Sequence, residues 1–201
     1  MIILSDRDKE ILIHIETWGF ATIKQIADIF FQKQKYGYDM ARKRLNQMVD
    51  NKKLFRRKDY DANSNIYTLE KSKPVRKSDI IAMDFYSKLI NEGAEILLFE
   101  KEYTGFLDGK IRPDIFSAIK IENWLIYLFV EIQTRHAKAD IEKYEKLYAT
   151  REFQNKFNTN IFPTIVVIED VVHKDQYKSK YFKVVQIDLN MSGFPKIFMP
   201  K

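Results

Sequence analysis

The stretch LIYLFV, residues 125–130, is apolar without interruption, and TIVVI, residues 164–168, repeats that character. Neither approaches the ~18 apolar residues a membrane helix needs. A strand with one wet face alternates polar and apolar residues. An unbroken run of this length therefore predicts a central strand covered on both faces. Two such runs commit the second half of the chain to a layered core, and 45% hydrophobic and 14% aromatic residues are enough to fill one.

Other elements assemble around these runs. Ser78 is placed to cap a helix over 79–91, with Ile80, Ile81, Phe85, Leu89 and Ile90 as its apolar set and Gly93 as its stop. AEILLFEKEY (94–103), KIRPDIFSAIK (110–120) and NWLIYLFVEIQ (123–133) are successive strand candidates, with FLDGK and KIEN as turns. A charged helix is expected over 138–157, carrying Ile141, Tyr144, Leu147 and Tyr148 on one face. PTIVVIED (163–170) and YFKVVQIDL (181–189) supply two more strands. The predicted order is α-β-β-β-α-β-β around a mixed central sheet.

The first part has a different character. Residues 1–78 hold seventeen Lys/Arg against ten Asp/Glu, whereas residues 79–201 hold seventeen against eighteen. The whole excess of positive charge lies ahead of residue 79, which points to a polyanionic partner for that part. Ser5 and Thr22 can each cap a helix. The first carries Ile11, Leu12, Ile15 and Trp18, ends at Gly19, and has Asp6 and Asp8 near its positive end. The second carries Ile23, Ile26, Ala27 and Phe30. A third, over 37–51, buries Ala41, Leu45, Met48 and Val49 and turns Tyr38, Arg42, Lys43, Asn46 and Gln47 outward. KKLFRRKDY and NIYTLEK, joined by DANS, read as a hairpin. Three helices and a hairpin are the winged helix-turn-helix order. Ten basic residues fall between Lys33 and Lys58, with Asp39 and Asp50 opposing them. In that frame Tyr38, Arg42, Lys43, Arg44, Asn46 and Gln47 face the major groove of double-stranded DNA, and Arg56, Arg57 and Lys58 hold phosphates. The expected division is 1–70, a charged linker over 71–78 containing Pro74, and 79–201.

The second part resembles the PD-(D/E)xK nuclease-like fold, giving an α+β chain overall. The resemblance implies that Asp114 and Glu131 hold Mg²⁺, and that Gln133 stands where the family usually carries a lysine. Glu131 and Gln133, two apart on a strand, share a face. Glu92 and Glu95 are candidates for a further acid, and Lys138 and Lys143 for a substitute lysine. Arg112 and Arg135 are alternative partners of Glu131. Taken whole, SDRDKEILIHIETWGFATIKQIADIFF, ARKRLNQMVDNKKLFRR, RPDIF, YLFVEIQ and IEKYEKLY resemble the replication-relaxation family of plasmids and phages, over about residues 5–148. The family implies a sequence-specific DNA-binding protein acting in replication or mobilisation, with replication or mobilisation proteins, or a second copy of itself, as partners.

The expected reading is a non-catalytic nuclease-like domain. The alternatives are a Mg²⁺-dependent endonuclease using Asp114, Glu131 and Gln133, and a protein-interaction adaptor. The chain has no cysteine, no signal-like start and no membrane-length run, so a cytoplasmic protein is expected. His14, His136 and His173 show no metal-binding spacing. His14 is expected to pack or cap, and His136 to lie near the metal site. Tyr144, Tyr148, Tyr177 and Tyr181 are expected in the core rather than against bases. No nucleotide-binding glycine motif is present.

Overall fold

A computed structural model describes residues 3–59, 64–71, 73–134, 138–170 and 177–198. The protein is a mixed α+β chain that divides into two compact units, 1–92 and 93–201. Among the described residues no helix is long and apolar enough to cross a membrane.

In the first unit, α1 (Asp6–Trp18) opens with a capping box. The Asp8 amide donates to Ser5 Oγ, and the Ser5 amide donates to Asp8 Oδ2 at 2.6 Å. Gly19 ends the helix at φ +85°, a conformation that glycine adopts without a Cβ penalty. β1 (Ala21–Thr22) leads into α2 (Ile23–Phe30), where Thr22 and Gln25 repeat the capping box. α3 (Gly37–Asp50) buries Ala41, Leu45 and Met48 against Ile11, Ile15, Ile26 and Tyr67. β2 (Phe55–Asp59) and β3 (Ser64–Thr68) form an antiparallel hairpin, and β1 pairs with β3 to give the order β1-β3-β2.

The helix expected to open the second domain, α4 (Lys77–Asn91), belongs to the first unit. Gln25 is fully buried and α4 meets its amide. Gln25 Nε2 donates to the Ile80 carbonyl at 3.2 Å and to Asp84 Oδ1 at 2.7 Å. Ile80 and Met83 also pack on Phe20 and Ile66. The boundary therefore falls near residue 92 rather than 78.

His14 of α1 sits among the rings of Trp18, Phe30 and Tyr86, at centroid distances of 6.2, 5.6 and 6.2 Å. Its Nε2 is buried and without a hydrogen-bond partner among the described residues, and burial lowers its pKa to about 4. The unfolded chain regains a pKa near ~6.5 and so binds more protons between these values. Stability is thus lost as pH falls through that window. By pH 5 this group is expected to cost about 2 kcal/mol relative to pH 7.5. Urea unfolding of the parent and of His14→Phe at both pH values checks this: the parent loses more stability than the variant by that amount.

The second unit begins at Gly93. Its strands are β4 (Glu95–Lys101), β5 (Ile115–Ile121), β6 (Trp124–Gln133), β7 (Thr164–Glu169) and β8 (Val184–Asp188), lying in the order β4-β5-β6-β7-β8. β4, β5 and β6 form an antiparallel meander, and β7 and β8 run parallel to β6. Tyr127 to Val130 of β6 and Ile165 to Ile168 of β7 are buried whichever face they occupy, as expected of these runs, whereas Leu125 at the start of the first run is 41% exposed.

One face of this sheet, bearing Phe116, Tyr127, Phe129, Ile165 and Val167, packs against Tyr144, Leu147 and Phe153. The helix expected over 138–157 is two: α5 (Glu142–Thr150) and α6 (Glu152–Lys156), broken at Arg151, φ +58°. The Glu152 carboxylate accepts from the Leu107 amide at 3.0 and 3.1 Å, holding α6 against the β4–β5 connection. That connection, read from sequence as a plain turn, sends the Phe106 ring into the core.

Candidate functional site

Each unit carries one constellation built from predicted site residues. On the first, Tyr67 of β3 organises the surface. Its hydroxyl donates to Asn46 Oδ1 at 3.2 Å, and Arg56 NH1 donates to the same oxygen at 3.0 Å. Helix α3 and the hairpin are thereby tied together through one amide. Burial raises the Tyr67 pKa while the charges of Arg56 and Arg42 pull against it, with Tyr38 close enough to act as well. Tyr38, Arg42, Asn46 and Arg56 thus gather at one place. Arg42 pairs with Asp39 at 3.0 Å, both more than half exposed. Such an exposed pair contributes little and gives way readily to a phosphate. Lys43 is exposed.

Arg44 and Gln47 stand apart from this group. Arg44 Nε donates to Asp8 Oδ1 at 2.5 Å, its NH2 donates to Asp8 Oδ2 and to the Ile3 carbonyl, and its NH1 donates to Gln47 at 2.9 Å. Asp8 is 1% exposed, and the Arg44 guanidinium, with Ser5, holds its pKa at about 2. Arg44 is therefore committed to the fold, and Gln47 to Arg44. Strand alternation also divides the hairpin basics. Arg56 and Lys58 share the face of Tyr67 and Asn65, and Arg57 lies on the other beside Ile66 in register.

In the second unit, Asp114 immediately precedes β5, and Oδ2 of its carboxylate accepts from the Ile132 amide of β6 at 2.6 Å. That bond clamps it beside Glu131, as the antiparallel register Ile115–Val130 requires. Glu131 is 6% exposed. Its Oε1 accepts from the Lys143 ammonium at 2.7 Å and from the Tyr144 hydroxyl. Burial raises the Glu131 pKa, Lys143 and Tyr144 oppose that rise, and the Asp114 charge adds to it. Tyr144, fully buried and stacked on Phe129 at 5.3 Å, has its pKa raised by burial and by Glu131. Its hydroxyl is a buried donor to Glu131.

Lys143 thus reaches from α5 to the acid that Gln133 was expected to serve, while Gln133 aligns with Glu169 on β7. Arg112 pairs with Glu102 at 2.6 Å rather than with Glu131. Arg135 and His136 lie outside the described residues, as does His173. Glu95 pairs in register with Lys120, at the end of the sheet away from Asp114, and Glu92 pairs with Lys88 in the first unit. Tyr148 stacks on Tyr181 at 5.2 Å, and Tyr181 is 45% exposed rather than in the core.

Among the described residues no group of three His, Cys, Asp or Glu side chains is placed to hold a metal. Asp114 and Glu131 each keep one carboxylate oxygen outside the bonds described above. Two hard oxygens completed by water fit Mg²⁺ or Mn²⁺. Two features escaped sequence reasoning: Tyr67 as the organiser of the first unit's surface, and Glu169 in the second unit. The alternation of β7, with Val167 in the core beneath α5, is the signal that puts Glu169 on the same face.

No protein-family model matches the chain, and no curated protein matches it.

Proposed function

We propose that this is a sequence-specific double-stranded-DNA-binding protein of a plasmid or phage, acting in replication, mobilisation or their regulation. In this reading the first unit is a winged helix and the second a PD-(D/E)xK-like domain. The observation that carries it is the Asn46 junction. One amide oxygen binds both the hairpin's Arg56 and Tyr67 beneath α3, so Tyr38, Arg42, Asn46 and Arg56 form one surface rather than a scattered basic composition. Helix α3 supplies the groove-facing element and Arg56 a phosphate contact.

Fluorescence anisotropy with duplex DNA across a salt series tests it. Affinity should fall as salt rises. The Arg42→Ala/Lys43→Ala/Arg56→Ala variant should lower the slope of log K against log salt by about 0.9 per phosphate contact removed. A parent protein that binds no duplex overturns the reading and favours an adaptor.

A second reading, metal-dependent cleavage, is favoured by the Lys143–Glu131 pair. It supplies from α5 the cation absent at position 133. Asp114 and Glu131 would hold Mg²⁺, which when bound polarises a phosphodiester and acidifies its water. Lys143 balances the Glu131 charge, and the Ile132 amide fixes Asp114. Plasmid nicking in Mg²⁺ or Mn²⁺ that is lost in Asp114→Asn and in Lys143→Met establishes this activity. Intact plasmid under those conditions leaves the DNA-binding reading without it.

A further inference from the structure

Glu169 closes β7 with a carboxylate that the constellation around Glu131 leaves unused. It is 6% exposed, and its Oε1 is buried with no hydrogen-bond partner among the described residues. Its Oε2 lies 3.5 Å from the Tyr177 hydroxyl, at the outer limit for a hydrogen bond, and that hydroxyl accepts from the Ala139 amide. A buried, ionised oxygen without a donor is strongly disfavoured unless a cation or proton meets it.

Its surroundings select the cation. In the parallel register Glu169 stands between Gln133 of β6 and Asp188 of β8. Adjacent strands put Gln133 and Glu169 about 4.8 Å apart at the backbone. Alternation places both on the face that carries Glu131, Phe129 and Val167. Asp188 Oδ1 already accepts from the Ser192 amide at 2.8 Å. The rung therefore sets Gln133, whose amide can turn its oxygen toward an ion, beside Glu169 with its unpartnered Oε1, and both oxygens are hard donors of the kind Mg²⁺ and Mn²⁺ take together with several waters. This also gives residue 133 a role of its own: a lysine there would put an ammonium beside Glu169, whereas glutamine offers an oxygen.

We propose that Gln133 and Glu169 form a divalent-cation site, separate from the Asp114–Glu131 pair and one step along the sheet from it. The site does not depend on cleavage by that pair or on DNA binding by the first unit. Binding is weak, because the protein supplies few ligands.

Titration of the full-length protein with Mn²⁺ alone, followed by the electron paramagnetic resonance signal of free Mn²⁺, tests it without DNA. Glu169→Gln and Gln133→Lys are each expected to bind one ion fewer than the parent, or to bind it at least tenfold more weakly. Asp114→Asn retains the Glu169-dependent ion. Thermal melts give a second readout. Mn²⁺ raises the parent's Tm by mass action and raises that of Gln133→Lys by less, and metal-free Gln133→Lys melts above the metal-free parent because its ammonium replaces the ion. Unchanged Mn²⁺ binding in both variants overturns the proposal. So does a parent that binds no Mn²⁺, or one whose only ion is lost in Asp114→Asn.

Discussion

Arg44→Ala is expected to lower the stability of the first unit by about 3 kcal/mol, most of it from stranding a buried charge. Asp8 is 1% exposed and accepts from two guanidinium nitrogens of Arg44 as well as from Ser5. Removing the guanidinium leaves the carboxylate with Ser5 alone. Lysine at 44 should recover only part of the loss, because one ammonium cannot reproduce the forked contact. Asp8→Ala/Arg44→Ala should be more stable than the two single losses sum to, since neither charge is then orphaned. Chemical unfolding of the parent, Arg44→Ala, Arg44→Lys, Asp8→Ala and the double variant measures this. With Arg42→Ala added, the set separates the fold from the proposed DNA binding. At a temperature where all remain folded, Arg44→Ala should bind duplex with the parent's salt slope, whereas Arg42→Ala should not.

In the second unit the largest loss is expected from Phe106→Ala, about 4 kcal/mol. The ring is fully buried and meets Tyr103 at 5.1 Å, Phe129 at 5.4 Å, Phe153 at 5.7 Å and Phe116 at 5.9 Å. It is the keystone between the β4–β5 connection, the sheet and α6. Phe106→Leu, which refills most of the volume, should lose markedly less. Calorimetry of both variants reads the difference. A loss below ~1 kcal/mol for the alanine variant would mean that the surrounding rings collapse into the space. Phe129 also stacks on Tyr144, which donates to Glu131, so loosening this cluster should disturb the acidic constellation as well.

What could be read from the sequence was local. The Ser5–Asp8 and Thr22–Gln25 boxes are set by spacings of three residues, and both caps form where that spacing places them. The strands of the second unit follow from period and from unbroken apolar runs, and they fall in the expected chain order. What could not be read depends on partners distant in the chain. Asp8 looks like an acid serving a helix end, and only its meeting with Arg44, thirty-six residues on, makes it an anchor. Arg44 and Arg42 are indistinguishable by composition, yet one is tied to Asp8 and the other is exposed. The break at Arg151 carries no proline or glycine. Beside it Glu152 accepts from the Leu107 amide, forty-five residues away in the chain. Glu131 finds Lys143 and Tyr144 because α5 crosses above β6, a relation between elements rather than a motif.

The allegiance of α4 bears on how the protein can be dissected. A truncation ending at residue 78, where charge and Pro74 invite the cut, would strip Ile80 and Met83 from Phe20 and Ile66 and leave the Gln25 amide without its carbonyl and carboxylate acceptors. Such a fragment would expose a greasy flank and tend to aggregate. Ending instead after Glu92, ahead of the left-handed Gly93, keeps that flank sealed. The longer fragment is the one to express when the proposed duplex binding is to be tested apart from the second unit.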